Sequence, residues 1–237
     1  APQAVKDKLE AAFKTAMQTE SGKSFVMDLC IDVTREHELE QERLKMIREL
    51  NSHIRNEQII NQCLQRITLQ TSLEEAVNEM LGLIGQNNDA DLCYICQYAD
   101  QRTSSKAVYG WNNSGIHIAE LLWNIDMTRY PKPQESFLQT QDVVIPDLHR
   151  PPEFFKNEPA FLLQFNIQSA LLTGIWIDGQ LWGFVGINYI RRTHNFTDSD
   201  IHTIHDAANL FVIANERNRQ MNAIADTVSL QKQIFDT

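Results

Sequence analysis

Residues 169–190, SALLTGIWIDGQLWGFVGINYI, constrain the fold more than any other stretch of the chain. Asp178-Gly179 reads as a hairpin turn, because both central positions of a type I′ turn need positive φ. The flanking runs lack the usual alternation of apolar and polar residues. Parity sends Leu171, Ile175 and Ile177 to one face and Leu172 and Trp176 to the other. On the return strand it sets Leu181, Val185, Ile187 and Tyr189 against Trp182, Phe184 and Ile190. A hairpin apolar on both faces has to be covered on both faces. Gly183 and Gly186 lie inside the second strand, where glycine marks a close approach by something else. The hairpin is therefore the centre of a sheet with helices on one side and other structure on the other.

Helices of the right kind flank it. Residues 3–19 carry Val5, Leu9, Phe13 and Met17 at helical spacing, and Ser21-Gly22-Lys23 interrupts them. Residues 24–33, SFVMDLCIDV, alternate in the manner of a strand. From Arg35 to about residue 70 there is neither Gly nor Pro, and Thr34 is a candidate cap. Leu39, Met46, Ile47, Leu50 and Ile54 form a narrow stripe on this charged segment, which implies a partner helix and a parallel two-stranded coil. A second helix is expected over residues 73–85, capped by Thr71 or Ser72 and ended by Gly85. Strands are expected over residues 91–98, 106–111 and 142–145, and a short helix over 160–165. Thr197 caps a last helix that has no stop signal before the end of the chain.

Between residues 116 and 159 the pattern is irregular, and the stretch holds five of the chain's seven prolines, with Pro159 a sixth at its edge. It also holds Trp123, Tyr130, Phe137, Phe154 and Phe155. A long aromatic segment inside a compact domain reads as a lid or a binding wall rather than a connector.

The composition closes off several functions. A formal net charge of -10 without a basic cluster argues against a nucleic-acid partner and against a polybasic membrane contact. No run reaches the roughly 20 apolar residues of a membrane-spanning helix. No signal peptide is visible, and a first residue other than Met fits a fragment of a longer protein; the expected location is the cytoplasm. Nucleotide-binding glycine motifs and a serine-hydrolase elbow are absent. His202 and His205 share a helix face without further ligands, so no metal site is expected. His117 and His149 sit in the loop region and read as surface residues. Cys93-Tyr-Ile-Cys96 falls on a strand, where odd spacing points the two thiols to opposite faces, so both read as structural. Asp147, after Ile-Pro, reads as a turn-fixing carboxylate.

The succession of these pieces resembles a GAF domain. The residues that carry the resemblance are LCYICQYADQRTSSKAVYGW, DVVIPDLHRPPEF, the hairpin running on into RRTHNFTDSDI, and the helix DAANLFVIANER. The preceding CIDVTREHELEQERL is similar to the closing strand and exit helix of a PAS domain. The resemblance implies an α+β fold: a GAF-like central antiparallel sheet, a helical layer on one face, pocket-forming loops on the other, and long signalling helices at either end. It divides the chain into a PAS-like C-terminal remnant (residues 1–34), a coiled-coil linker (35–58), the GAF domain (59–219) and an exit helix (220–237). It implies a non-catalytic sensory module of a bacterial two-component protein, most naturally a sensor histidine kinase, homodimeric through its incoming and exit helices and able to bind a small molecule. The expected pocket residues are Tyr94, Val108, Trp111, Trp123, Tyr130, Phe137, Asp147, Phe154, Phe165, Ser169, Thr173 and Tyr189. The cyclic-nucleotide signature and the bilin-linking cysteine context are missing, so the ligand or cofactor is unknown. The alternatives are a structural domain with a vestigial pocket and, enzymatically, free methionine sulfoxide reduction. The last needs an accessible thiolate, which strand cysteines do not offer.

Overall fold

The structure is a computed structural model that describes residues 10–15, 17–69, 72–113, 115, 125–156, 162 and 166–235. Two units are distinguished, Ala1–Ile54 and Arg55–Thr237. Helix α1 (Glu20–Leu69) crosses from the first to the second. It runs through residues 24–33, so the strand expected there is helix, and the PAS-like reading loses the strand that carried it. An isolated strand would leave its backbone groups without a ladder, whereas a helix pairs them within the segment. In the first unit Leu39, Met46, Ile47, Leu50 and Ile54 are all exposed.

The second unit is built on a six-stranded antiparallel sheet of order β3-β2-β1-β6-β5-β4. Its strands are β1 (Leu92–Ala99), β2 (Ser104–Asn112), β3 (Ile125–Asp126), β4 (Val143–Ile145), β5 (Ser169–Ile177) and β6 (Gln180–Tyr189). The β5–β6 hairpin closes at Asp178 (φ 51°) and Gly179 (φ 75°), the two positive φ values a type I′ turn needs. Its strands sit inside the sheet, β6 against β1 and β5 against the short edge strand β4.

One face carries helices α2 (Leu73–Asn87) and α4 (Asp198–Phe235), with the C-terminal end of α1. Ser72 caps α2 by accepting from the Glu75 N–H. The helix passes Gly85, the expected stop, and ends at Asn87, because Gly85 faces inward: a Cβ there would stand 2.3 Å from the Trp111 ring. Thr197 caps α4 as expected. Its Oγ1 accepts from the Asp200 N–H at 3.3 Å, and its own N–H donates to Asp200 Oδ2 at 2.7 Å. Val77, Met80, Leu81, Ile84, Ile204, Ala207 and Phe211 meet Cys93, Ile95, Leu171, Ile175, Val185 and Ile187 of the sheet in one continuous core.

The opposite, distal face forms a second core. Leu92, Tyr94, Cys96, Tyr98, Leu172, Leu181 and Phe184 of the sheet pack against helix α3 (Pro131–Leu138), Leu148, Phe155, Leu162 and Ile167. The double coverage inferred from the hairpin is present on both faces.

Two bulges alter the parity expected from the sequence. In β5–β6 the register steps from Ile175↔Gly183 to Trp176↔Leu181, which leaves Trp182 as the extra residue. Leu181 therefore joins Phe184 on the distal face, and Trp182 packs with the helical side, the reverse of their expected grouping. In β1–β2 the step between Ile95↔Tyr109 and Cys96↔Ala107 makes Val108 the extra residue.

Candidate functional site

The distal face is where loops and sheet enclose a second core, and several of the expected pocket residues gather there. Tyr94 and Phe137 are each 1% exposed, and Tyr130 packs at the edge. Phe184 organises them: Phe137 stacks on it (centroids 5.9 Å, 28°), Tyr98 tilts against it (5.7 Å), and Tyr94 meets it edge-on (6.5 Å). Gly186 permits the Tyr94 placement, since a Cβ there would lie 2.6 Å from Tyr94 Cζ and 2.7 Å from Leu172 Cδ2.

The polar groups of this face are buried. Asn188, fully buried, donates from Nδ2 to the Tyr94 hydroxyl at 3.2 Å, and its Oδ1 has no partner among the described residues. The Tyr98 hydroxyl and Ser105 Oγ are also buried without a partner among the described residues. Tyr98 and Ser105 are opposite one another in the β1–β2 ladder and so share the face. Leaving such groups unsatisfied costs about 1–3 kcal/mol each, a cost that a hydrogen-bonding occupant removes. Burial raises the Tyr94 and Tyr98 pKa values well above the phenol range, so both hydroxyls are neutral and keep a proton to donate. Asn188, Tyr98, Ser105 and Phe184 are not among the expected pocket residues, and Phe155 is expected in the aromatic wall but not in the pocket. The available signal was an amide within the otherwise apolar run of β6.

Other expected pocket residues lie elsewhere. Trp111 pairs with Cys93, whose side chain faces the helical layer, and its indole covers Gly82 and Gly85 of α2. Val108, the bulge residue, packs on the same side. Tyr189 also faces the helices: its hydroxyl donates to the Asn88 carbonyl at 3.0 Å, and its ring stacks on His194. Ser169, opposite Tyr189, donates to the Pro146 carbonyl and accepts from the His194 N–H, so it clamps the sheet edge rather than a ligand. Thr173 faces the helical side and donates to Asp142 Oδ1 at 2.6 Å. Asp147 fixes its turn, accepting from the His149 N–H at 2.9 Å and pairing with Arg150. Phe154 is 43% exposed, and its neighbour Phe155 takes the buried place. Trp123 and Phe165 lie outside the described residues, as does His117.

The thiols divide as strand parity requires. Cys93 belongs to the helical-side core and Cys96 to the distal one. Burial pushes the Cys63 thiol up to about 11 and raises Cys93 and Cys96 further still. None is a ready nucleophile at neutral pH. Among the described residues no group of three or more His, Cys, Asp and Glu is placed to hold a metal ion, and no helix is long and apolar enough to cross a membrane.

A family model described as GAF domain matches residues 72–214. Among curated proteins no match is found. Similar solved structures include a biliverdin-bound protein in its far-red absorbing dark state, 13% identical with a TM-score of 0.59, covering 68% of this chain and 99% of that one. A phycocyanobilin-bound GAF domain from a cyanobacterial phytochrome is 12% identical with a TM-score of 0.61, covering 70% of this chain and 96% of that one. Residues 122 to 287 of a methyl-accepting chemotaxis protein are 18% identical with a TM-score of 0.56, covering 68% of this chain and 99% of that one. At these identities the likeness is one of fold.

Proposed function

The chain belongs to the GAF domain family, a family of regulatory sensory modules, and from that membership we propose that it binds a small molecule on the distal face of its sheet and passes the binding state to its flanking helices. The observation that carries the reading is the set of buried hydrogen-bonding atoms, Tyr98 Oη, Ser105 Oγ and Asn188 Oδ1, that have no partner among the described residues on the face that the loops cover. They suit an uncharged ligand with both donors and acceptors. A ligand acts on the helices only through its different affinity for two arrangements of the domain.

The parent protein in this reading is a two-component signalling protein, with a sensor histidine kinase as the natural output. Thermal unfolding against a metabolite panel tests the ligand. A true ligand at a hundred times its Kd adds about 2.7 kcal/mol, which is several degrees in Tm. A panel without any shift, in a protein whose distal core resists substitution of Asn188→Ala, overturns it. Bilins belong in the panel because two of the similar structures hold them. Here the distal thiol, Cys96, is buried and protonated, so a bilin is expected to bind without a thioether link and to separate from the chain on denaturation.

Phe137 stacked on Phe184 favours a second reading, in which aromatic side chains fill the pocket and the domain serves as a structural transmitter. Both readings need self-association. The stripe Leu39, Met46, Ile47, Leu50 and Ile54 is exposed, and so are Met221, Ile224 and Val228 of α4; each is proposed to meet its counterpart in a second copy. Sedimentation is expected to show a dimer, and Leu50→Glu to raise its dissociation constant by about a hundredfold or more. A monomer at all concentrations would remove the coil from the reading.

A further inference from the structure

Among the described residues, a side chain of helix α4 reaches the segment that follows α3. His205 projects from α4, and its Nε2 lies 2.9 and 3.0 Å from the two oxygens of Asp142. Asp142 stands just before β4, and Thr173 Oγ1 of β5 holds its Oδ1 at 2.6 Å. The carboxylate is thus fixed from the sheet side before it meets the helix. Asp142 is also the end of a short tether from α3. The turn after α3 closes with Gln141 N–H donating to Ser136 O at 2.9 Å and with Thr140 at φ 56°. Four residues before the turn's end is Phe137, the side chain stacked on Phe184 in the distal core.

Gly174, beside Thr173, lets this assembly form. A Cβ at Gly174 would lie 3.1 Å from Phe137 Cβ, so α3 rests against β5 next to the residue that holds Asp142. Phe137, Asp142, Thr173, Trp176, His205 and Asn209 together line an open cleft of about 270 Å³ between α3, β5 and α4.

We infer that the Asp142–His205 pair is the coupling contact between the distal core and α4: a displacement of Phe137 reaches the helix through the α3–β4 turn and this pair. Asp142 and His205 are positioning residues in this arrangement and touch no ligand. The inference rests on the proposed function only in treating α4 as the output element. The contact runs in parallel with the packing of Ala207, Ala208 and Phe211 on the sheet, so its contribution is measured as a non-additivity rather than as a loss.

Hydrogen exchange on the ligand-free chain is the test, which keeps it independent of whether a ligand is ever found. Phe137→Leu perturbs the distal core from within. It is expected to raise amide exchange in residues 201–214 of α4 by about tenfold. In an Asp142→Asn background, and in a His205→Gln background, the same substitution is expected to leave α4 exchange at the level of the background variant. A Phe137→Leu effect on α4 that survives undiminished in both backgrounds means the sheet carries the coupling, and the inference fails. It fails equally if Phe137→Leu raises exchange in α3 and β4 but leaves α4 unchanged in the wild-type background. Thermal unfolding of each variant confirms that it is folded, and Asp142→Glu, which keeps the charge, is expected to restore part of the coupling.

Discussion

Gly183→Ala is expected to destabilise the second unit by about 3 kcal/mol or more, the largest loss of any single methyl addition in the sheet. A Cβ at Gly183 would stand 2.1 Å from the Cys96 carbonyl oxygen and 3.2 Å from Gln97 Cα. The obstacle is the backbone of β1, which cannot rotate away as a side chain can. Gly183 is also the residue at which the β5–β6 bulge rejoins the regular ladder, so a shift to relieve the clash disturbs the pairing with both neighbours. Gly186→Ala meets the Tyr94 ring and a Leu172 methyl instead, and these can move. It is expected to cost less, about 1–2 kcal/mol. Urea denaturation followed by far-ultraviolet circular dichroism measures both. Equal losses for the two variants would show that the β1–β6 approach is looser than the geometry indicates.

Asp91→Ala is expected to cost about 3 kcal/mol, because it strips a buried acceptor from three donors at once. The side chain is 1% exposed; Oδ2 accepts from the Ile190 and Arg191 N–H groups at 2.7 and 3.0 Å, and Oδ1 takes the Arg191 Nε–H. These bonds join the start of β1 to the chain leaving β6. Burial alone would raise the carboxyl pKa, but the two backbone N–H bonds and the Arg191 guanidinium outweigh it and hold the group below its ordinary 3.8. A depressed folded-state pKa stabilises the fold fully above 3.8 and loses that contribution as the pH falls through the lower folded value. Asp91→Asn keeps the shape and is expected to remove this part of the acid sensitivity. A loss of stability on acidification that is as large in Asp91→Asn as in the wild type would mean that other carboxylates set it.

The hairpin, its turn and its two-sided burial were legible because each follows from a local rule: positive φ at Asp178-Gly179, and period two along β5. The same rule failed wherever the ladder gains a residue. Nothing in GQLWGFV announces that Trp182 is extra, so Leu181 and Trp182 changed faces. Trp111 was misplaced for a related reason. Its face is set by its partner Cys93 across the ladder, and pairing is a tertiary fact that one strand does not contain. The aromatic loop segment was correctly read as covering the sheet through Phe137 and Tyr130, while Phe154 and Phe155 exchanged roles because the 3-10 turn Glu153–Phe155 presents only one of two adjacent rings inward. In residues 24–33 a strand-like alternation lost to helix, since alternation without a neighbouring strand has nothing to pair with. Asn188 shows the converse: an amide in an apolar strand was visible in the sequence, but only the Tyr94 contact gives it a site.

The sheet's outermost strands are its shortest, two residues in β3 and three in β4, against eight to ten in the four strands between them. Among the described residues, a neighbouring polypeptide that tried to extend the sheet along β3 or β4 would find two or three residues of backbone template, and just beyond β4 Pro146 has no N–H to offer. The two central strands, β1 and β6, are paired on both sides over most of their length, which keeps their apolar backbones from serving as free margins.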